Sequence, residues 1–239
     1  MEEGRQGLGH KVKWLIRRSM RTIIIAACVI IFVWLLQEVG EKSMLKLDSI
    51  AYWAIVLHLR SETLTPVMET ITMLAMPATL LVVWVVASAF APGKRPGACM
   101  AVNLVGATLL NLLLKAIVQR PRPDGFRLVA ETGYSFPSGH SMVAMAFYGL
   151  LAYLIWNYEK ERPMRLLWCS CLGLVVIAVG ISRIYLGVHY ASDVIAGFCV
   201  SMAWLAVYTK VVCPLFLPED EPVLDKTGAL HLRTTSFKN

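Results

Sequence analysis

Three short polar islands interrupt an otherwise apolar chain: Lys115 with Arg122-Pro123, then Pro137-Ser138-Gly139-His140, then Ser182-Arg183 followed by His189 and Asp193. Ionisable residues in a membrane-embedded chain are costly and persist where they act together. Between them the islands supply three phosphate-binding cations, two histidines and one carboxylate, the components of a metal-free phosphoryl-transfer site.

His189 and Asp193 are spaced i and i+4, which predicts one shared helix face. There the carboxylate can accept one imidazole N–H, fix the tautomer and stabilise the charged ring, as nucleophilic or base catalysis requires. Ser138-Gly139 after a proline predicts a helix start whose free amides and dipole favour an anion, with glycine allowing close approach of phosphate oxygens. An ordinary helix start with Ser138 as side-chain cap explains as much of that motif. It does not explain His140. Lys115, Arg122 and Arg183 add charge, the arginines as bidentate phosphate partners and the lysine as a point charge. Snorkelling to the headgroups accounts for each cation singly, but not for three converging on two histidines. Arg120 and Arg127, in the same loop as Arg122, are candidates for steering anionic headgroups.

A metal centre is the competing account of clustered His and Asp. The sequence has no His-Glu-x-x-His, His-x-Glu-x-x-His or Cys-pair pattern, and three neighbouring cations would oppose a bound dication. No metal ligands and no cofactor are therefore expected.

The elements that must position these residues follow from the charge-free stretches at 22–37, 70–93, 96–114, 141–158, 166–182 and 194–209. A span needs about 20 predominantly apolar residues, so the fold class expected is an all-α polytopic membrane protein with six transmembrane helices. Segment 43–60 mixes Lys46 and Asp48 with Leu45, Leu47, Ile50, Trp53 and Leu57 and reads as an amphipathic interfacial helix, a membrane-dipping hairpin being the alternative. Pro77 is expected to kink the second span. The residues after Gln37 lack a small-x-small cleavage pattern, so the first helix is read as uncleaved.

Six spans bring Lys115, Arg122, Ser138, His140, Arg183, His189 and Asp193 to one side. The basic segments, with Arg5, Lys11, Lys13, Arg17, Arg18 and Arg21, then Lys94 and Arg95, then Lys160, Arg162 and Arg165, then Lys210, Lys226, Arg233 and Lys238, fall on the other. By the bias of basic loops towards the cytoplasm, both termini are expected inside and the islands on the extracytoplasmic face of a cell membrane. The organisation expected is a basic cytoplasmic segment at 1–21, a six-helix domain at 22–213 and a cytoplasmic tail at 214–239, polar around Pro218–Pro222 and loosely ordered.

Composition agrees. The 239 residues are 57% hydrophobic and 16% charged, with a mean hydropathy of +0.60, against about 25% charged in a soluble domain. The net charge of +7 is explained by the cytoplasmic bias, so no nucleic-acid partner is expected. Six cysteines lie in or beside apolar segments and read as small hydrophobes.

Lys115-x6-Arg122-Pro123, Pro137-Ser138-Gly139-His140 and Ser182-Arg183-x5-His189-x3-Asp193 together resemble the three-part signature of the type-2 phosphatidic acid phosphatase superfamily, over roughly residues 60–210 and with no departure at a signature position. The resemblance implies a metal-free membrane phosphatase of six helices. It further implies His189 as the nucleophile that becomes a phosphohistidine, Asp193 as its orienting partner, and His140 as the acid for the leaving group and then the base for water. Lys115, Arg122, Arg183, Ser138 and the Gly139 amide would hold the phosphate oxygens.

The partners expected are the bilayer and a membrane lipid phosphate: phosphatidylglycerol phosphate, phosphatidic acid or a polyprenyl diphosphate. The motifs read the phosphate and not the tail, so they do not choose among these, and they specify no oligomeric state. A lipid phosphotransferase would share the first half-reaction. A non-catalytic anionic-lipid binder or transporter would use the cations but leave the His189–Asp193 pair unexplained.

Overall fold

Inside lipid a backbone must satisfy its own hydrogen bonds, and the apolar stretches accordingly become helices. The computed structural model describes residues 2–41, 44–91, 93, 95–124, 127–217, 222–224 and 230–232, with side chains from residue 19 to residue 217. In chain order the elements are α1 (Glu2–Glu41), α2 (Lys46–Ala51), which runs into a π-helical turn at Tyr52–Leu57, α3 (Thr65–Met73), α4 (Pro77–Phe90), α5 (Arg95–Val118), α6 (Gly139–Tyr158), α7 (Arg162–Tyr185), α8 (Ala191–Val211) and α9 (Cys213–Phe216). The tail adds two short antiparallel strands, β1 (Pro222–Leu224) and β2 (Leu230–Leu232), paired Val223 to His231. This hairpin is an element that the polar tail did not announce.

Among the described residues five helices are long and apolar enough to cross a membrane, including Ser19–Glu41 of α1, and the pair α3 and α4, bent by 55°, brings the number to six when taken as one broken span. The second span is thus not one kinked helix over 70–93 but two helices. Proline at the first position of α4 holds Met76 in an extended conformation, as the residue before a proline prefers, and its missing N–H cannot continue α3. The Tyr148 hydroxyl donates to the Leu74 carbonyl at the break, 2.7 Å away, replacing a bond the helix has lost. Ile30, Phe90, Leu109, Ile117 and Leu174 point outward, an apolar girdle that requires lipid around it.

Helix α6 is the centre of the bundle, packed by α5, α7 and α8, while α1 lies along α8, α3 against α7 and α4 against α5. Its inner face buries Met142, Ala144, Ala146, Phe147, Tyr148, Leu150 and Leu154. Small residues allow the close crossings usual between membrane helices. A Cβ on Gly197 of α8 would stand 3.0 Å from the Ser138 carbonyl oxygen, and one on Gly180 of α7 would stand 2.6 Å from Phe198.

Segment 46–57 turns Leu47, Ile50, Trp53 and Leu57 outward and buries Asp48 and Val56, with Leu45 buried just before it. Asp48 faces the protein, while Lys46, Ser49 and the large apolar residues face away from it, so an apolar surface is left for lipid. Arg95, Lys160, Arg162, Arg165 and Lys210 sit at or beside the helix ends opposite those that carry the polar islands, and Arg21 lies near the start of the apolar span Ser19–Glu41 within α1. Lys94, Lys226, Arg233 and Lys238, used with them in reading the charge bias, lie outside the described residues.

Candidate active site

The polar islands converge at one end of the bundle: Lys115 in the last turn of α5, Ser138, Gly139 and His140 at the start of α6, Arg183 in the last turn of α7, and Asp193 in the first turn of α8. His189 is the exception to the expected helical placement. It precedes Tyr190, the residue that caps α8, and so lies in the turn joining α7 to α8. The i, i+4 pairing with Asp193 survives because Asp193 reaches back across the cap, accepting from the Tyr190 amide at 2.9 Å and meeting Nδ1 of His189 at 3.3 Å through the same Oδ2.

His189 is 3% exposed and Asp193 fully buried. A guanidinium of Arg122 points Nη1 at Nε2 of His189, 3.2 Å away. Arginine has only donors, so Nε2 accepts and the ring proton resides on Nδ1, facing Asp193. Burial pushes the His189 imidazole down, to about 4, although Asp193 pulls the other way; Arg183 and Arg122 add to the lowering. At neutral pH the ring is uncharged, with its Nε2 lone pair turned towards the cations.

Arg122 is fixed by the carbonyls of Val188, Thr132 and Gly133 at 3.0, 3.0 and 3.1 Å. Arg183 donates to the Thr72 hydroxyl at 2.8 Å and is ion-paired with Glu131. Glu131 also reaches Arg122, at 3.5 Å, so one carboxylate bridges both arginines. Burial alone would raise the Glu131 carboxyl, but Arg183 and Arg122 outweigh it and hold it below its usual range. Lys115 donates to the Tyr134 carbonyl at 2.9 Å. His140 lies within electrostatic reach of Arg183, Glu131, His189 and Lys115. Its Nε2 and the Nε of Arg183 are both buried without a hydrogen-bond partner.

Ser138 does not cap α6 with its side chain. Its Oγ accepts from Ser141, 3.0 Å away, and its amide donates to the Asp193 carbonyl at 3.0 Å. The first-turn amides of α6 therefore keep their donors, since a helix start offers them no internal acceptor. Gly139 is needed for a reason the motif did not disclose: a Cβ there would stand 3.0 Å from Oδ1 of Asn111, whose amide nitrogen donates to the Pro137 carbonyl at 3.1 Å.

Three residues that the motifs did not single out for the site belong to it. Glu131 bridges the arginines. Arg120, weighed only as a steering charge, is 4% exposed and donates Nη1 to Oδ1 of Asp193 at 2.6 Å. Asp48 accepts from Nη2 of the same guanidinium at 3.0 Å. Their signal was faint: Arg120 stands two residues before Arg122 in Arg-Pro-Arg-Pro, and Asp48 is the one acidic residue of 46–57. Arg127 is placed differently, donating to the Pro123 carbonyl within its own loop.

Among the described residues no three His, Cys, Asp or Glu side chains are grouped to hold a metal ion. Two cavities of about 390 Å³ each lie elsewhere, one around Tyr153 and Met202, the other apolar between α1, α5 and α8 around Phe32, Leu114 and Trp204. The polar cluster itself can hold a tetrahedral anion between Nε2 of His189, three cations and the uncapped amides, and offers His140 beside it for proton transfer.

The sequence profile of the PAP2 superfamily matches residues 96–215. A phosphatidylglycerophosphatase B of Bacillus subtilis is 36% identical over 60% of this chain and 73% of its own length. A lipid A 1-phosphatase of Rhizobium johnstonii is 35% identical over 48% of this chain and 47% of its own. The crystal structure of a transmembrane PAP2-type phosphatidylglycerolphosphate phosphatase from Bacillus subtilis superposes with a TM-score of 0.71 at 30% identity, covering 78% of this chain and 94% of that one.

Proposed function

This chain belongs to the PAP2 superfamily, and from that membership we propose that it is an integral membrane lipid-phosphate phosphatase acting through a phosphohistidine at His189. The observation that carries the reading is the Glu131 carboxylate, seated between Arg183 and Arg122, the second of which also meets Nε2 of His189. The two arginines hold one anion there already, and a phosphoryl group would offer them and their neighbours more oxygens than a carboxylate does.

In the first half-reaction the Nε2 lone pair attacks phosphorus, an N–P bond forms, and the P–O bond to the lipid breaks. His140 gives its proton to the leaving oxygen. Asp193 accepts the Nδ1–H and stabilises the ring as it becomes cationic. Water then attacks the phosphohistidine, His140 takes its proton, the N–P bond breaks and inorganic phosphate leaves. Arg122, Arg183, Lys115, the Ser138 hydroxyl and the Gly139 amide hold the oxygens throughout. Because stabilisation by fixed charges suffices for phosphoryl transfer, the reaction is proposed to need no metal. The basic helix ends opposite the site support an extracytoplasmic active site with both termini in the cytoplasm.

The candidate substrates are phosphatidylglycerol phosphate, phosphatidic acid and polyprenyl diphosphates, all presenting a terminal phosphoryl group at the interface while their tails stay in lipid. Purified protein in detergent, given these three in turn with and without a chelator, should release inorganic phosphate from at least one, with chelator making no difference. Release from none would end the phosphatase reading. His189→Ala should abolish release; retained hydrolysis would refute the covalent step.

A further inference from the structure

We propose that Asp48, on α2, is a positioning residue for the nucleophile, acting through Arg120 to set the charge that Asp193 presents to His189. The inference deepens the phosphohistidine reading and rests on it.

Asp193 divides its two oxygens. Oδ2 faces Nδ1 of His189 and the Tyr190 amide, while Oδ1 receives Nη1 of Arg120 at 2.6 Å. Alone, such a contact would work against catalysis, because a buried guanidinium paired with one carboxylate cancels the charge that should stabilise a cationic imidazole. Arg120 is not left in that pairing. Its Nη2 donates to Asp48 at 3.0 Å, and its guanidinium lies 4.0 Å over the Tyr190 ring. Asp48 is 2% exposed and also accepts from the Ser192 amide at 2.8 Å, the Ser192 hydroxyl at 2.9 Å and the Leu45 amide at 3.2 Å.

Two buried carboxylates thus share one guanidinium, and the group carries one net negative charge. An uncompensated charge away from water is expensive. His189 supplies the missing positive charge as the N–P bond forms, so the cluster is better matched to the phosphorylated intermediate than to the resting enzyme, which is how an enzyme lowers a barrier. Among the described residues the remaining charged and titratable groups near His189 are Arg122, Arg183 and His140, with Lys115 and Glu131 beyond them. Arg122 meets the Nε2 edge, the side on which phosphate is proposed to bind and bring its own negative charge. Asp124 acts on Tyr190. On the Nδ1 side the balance is set by Asp193, Arg120 and Asp48.

A purely structural role, in which Asp48 only docks α2 onto α8, makes a different forecast from a charge role. The test is the His189 titration read by side-chain nitrogen NMR on full-length protein in detergent, with the signal among the five histidines assigned by His189→Gln. Asp48→Asn, which keeps shape and removes charge, should lower the His189 midpoint by about one pH unit, the size of one buried charge nearby at an effective dielectric constant of about 20. Arg120→Gln should raise it. The double variant Asp48→Asn with Arg120→Gln restores one net negative charge and should return the midpoint towards the native value, even if a single variant is too unstable to measure. In turnover, Asp48→Asn should lower kcat about tenfold with KM within about twofold, because Asp48 is remote from the phosphate oxygens. Unchanged midpoints, or shifts of one sign in both single variants, would overturn the proposal. The titration needs no substrate, so absence of phosphate release from the native protein would count against the phosphatase reading alone.

Discussion

Nη1 of Arg122 donates to Nε2 of His189 across 3.2 Å, and the same guanidinium is gripped by the carbonyls of Val188, Thr132 and Gly133. The cation proposed to bind phosphate is therefore built into the loop at the edge of the nitrogen proposed as nucleophile, and it fixes the imidazole tautomer from one side as Asp193 does from the other. Because the contacts use Nε, Nη1 and Nη2 together, they depend on the planar fork and not on charge alone.

Arg122→Lys keeps the charge but cannot span those acceptors. We expect kcat/KM to fall about 100-fold on a lipid phosphate, on the order of two charge-assisted hydrogen bonds, with the thermal midpoint lowered by a few degrees as buried carbonyls lose their donors. Near-native turnover in this variant would show that a point charge is enough.

His189 gives a pH dependence with a definite sign. Its ordinary value is 6.5 and burial lowers it to about 4 in the fold. Between those values the unfolded chain holds a proton that the folded protein does not, so stability falls as pH drops from about 6.5 to 4 and this contribution ends below 4. The loss reaches about 2 kcal/mol by pH 5. Thermal midpoints at pH 7 and pH 5 should differ more in the native protein than in His189→Gln. Equal differences would show that this imidazole is not buried neutral.

Much of this arrangement was legible because lipid imposes its demands on composition. Charge-free stretches had to be helices, the proline at 77 had to disturb one of them, and polar residues at helix ends had to gather at one end of the bundle. Placements that depend on contacts between distant residues were not legible. Asp48 with Lys46 reads as the polar part of an amphipathic interfacial helix, yet Asp48 binds Ser192 across 144 positions, a partner that no spacing within the segment points to. Glu131 sits in a loop with no periodicity, and its role depends on two arginines brought together by folding. His189 was read onto a helix because spacing of four suits one. The same spacing also suits a cap reached by an aspartate in the first turn, and sequence alone does not separate the two.

Glu131 gives a third expectation. Its carboxylate pairs with Arg122 and Arg183, the two arginines proposed to hold phosphate, so on that proposal phosphate has to displace it. Glu131→Gln removes the competing charge. Orthovanadate should then inhibit at about tenfold lower concentration, the scale of one charge-assisted hydrogen bond, while the ligand-free thermal midpoint falls by a few degrees because two buried arginines lose the carboxylate they share. Weaker inhibition by vanadate would instead mean that Glu131 helps to hold the anion.

Gly197 tests whether the crossing of α6 and α8 positions the site. A Cβ at this residue would meet the Ser138 carbonyl oxygen at 3.0 Å, Cβ of Ser141 at 3.2 Å and Cγ of Met142 at 3.4 Å. The first neighbour is backbone at the start of α6 and cannot rotate away, so Gly197→Ala must push that start from α8. Overpacking of this kind costs about 1–3 kcal/mol. The displacement also carries Ser138, Gly139 and His140 away from His189 and Asp193, and misplacement of about 1 Å can reduce rate about 100-fold. The variant should therefore lose kcat out of proportion to its lost stability, whereas Gly173→Ala on α7, where a Cβ meets nothing within 4 Å, should change neither. If Gly197→Ala keeps native kcat, the start of α6 reaches its place without this crossing, and the close approach of the two helices serves packing alone.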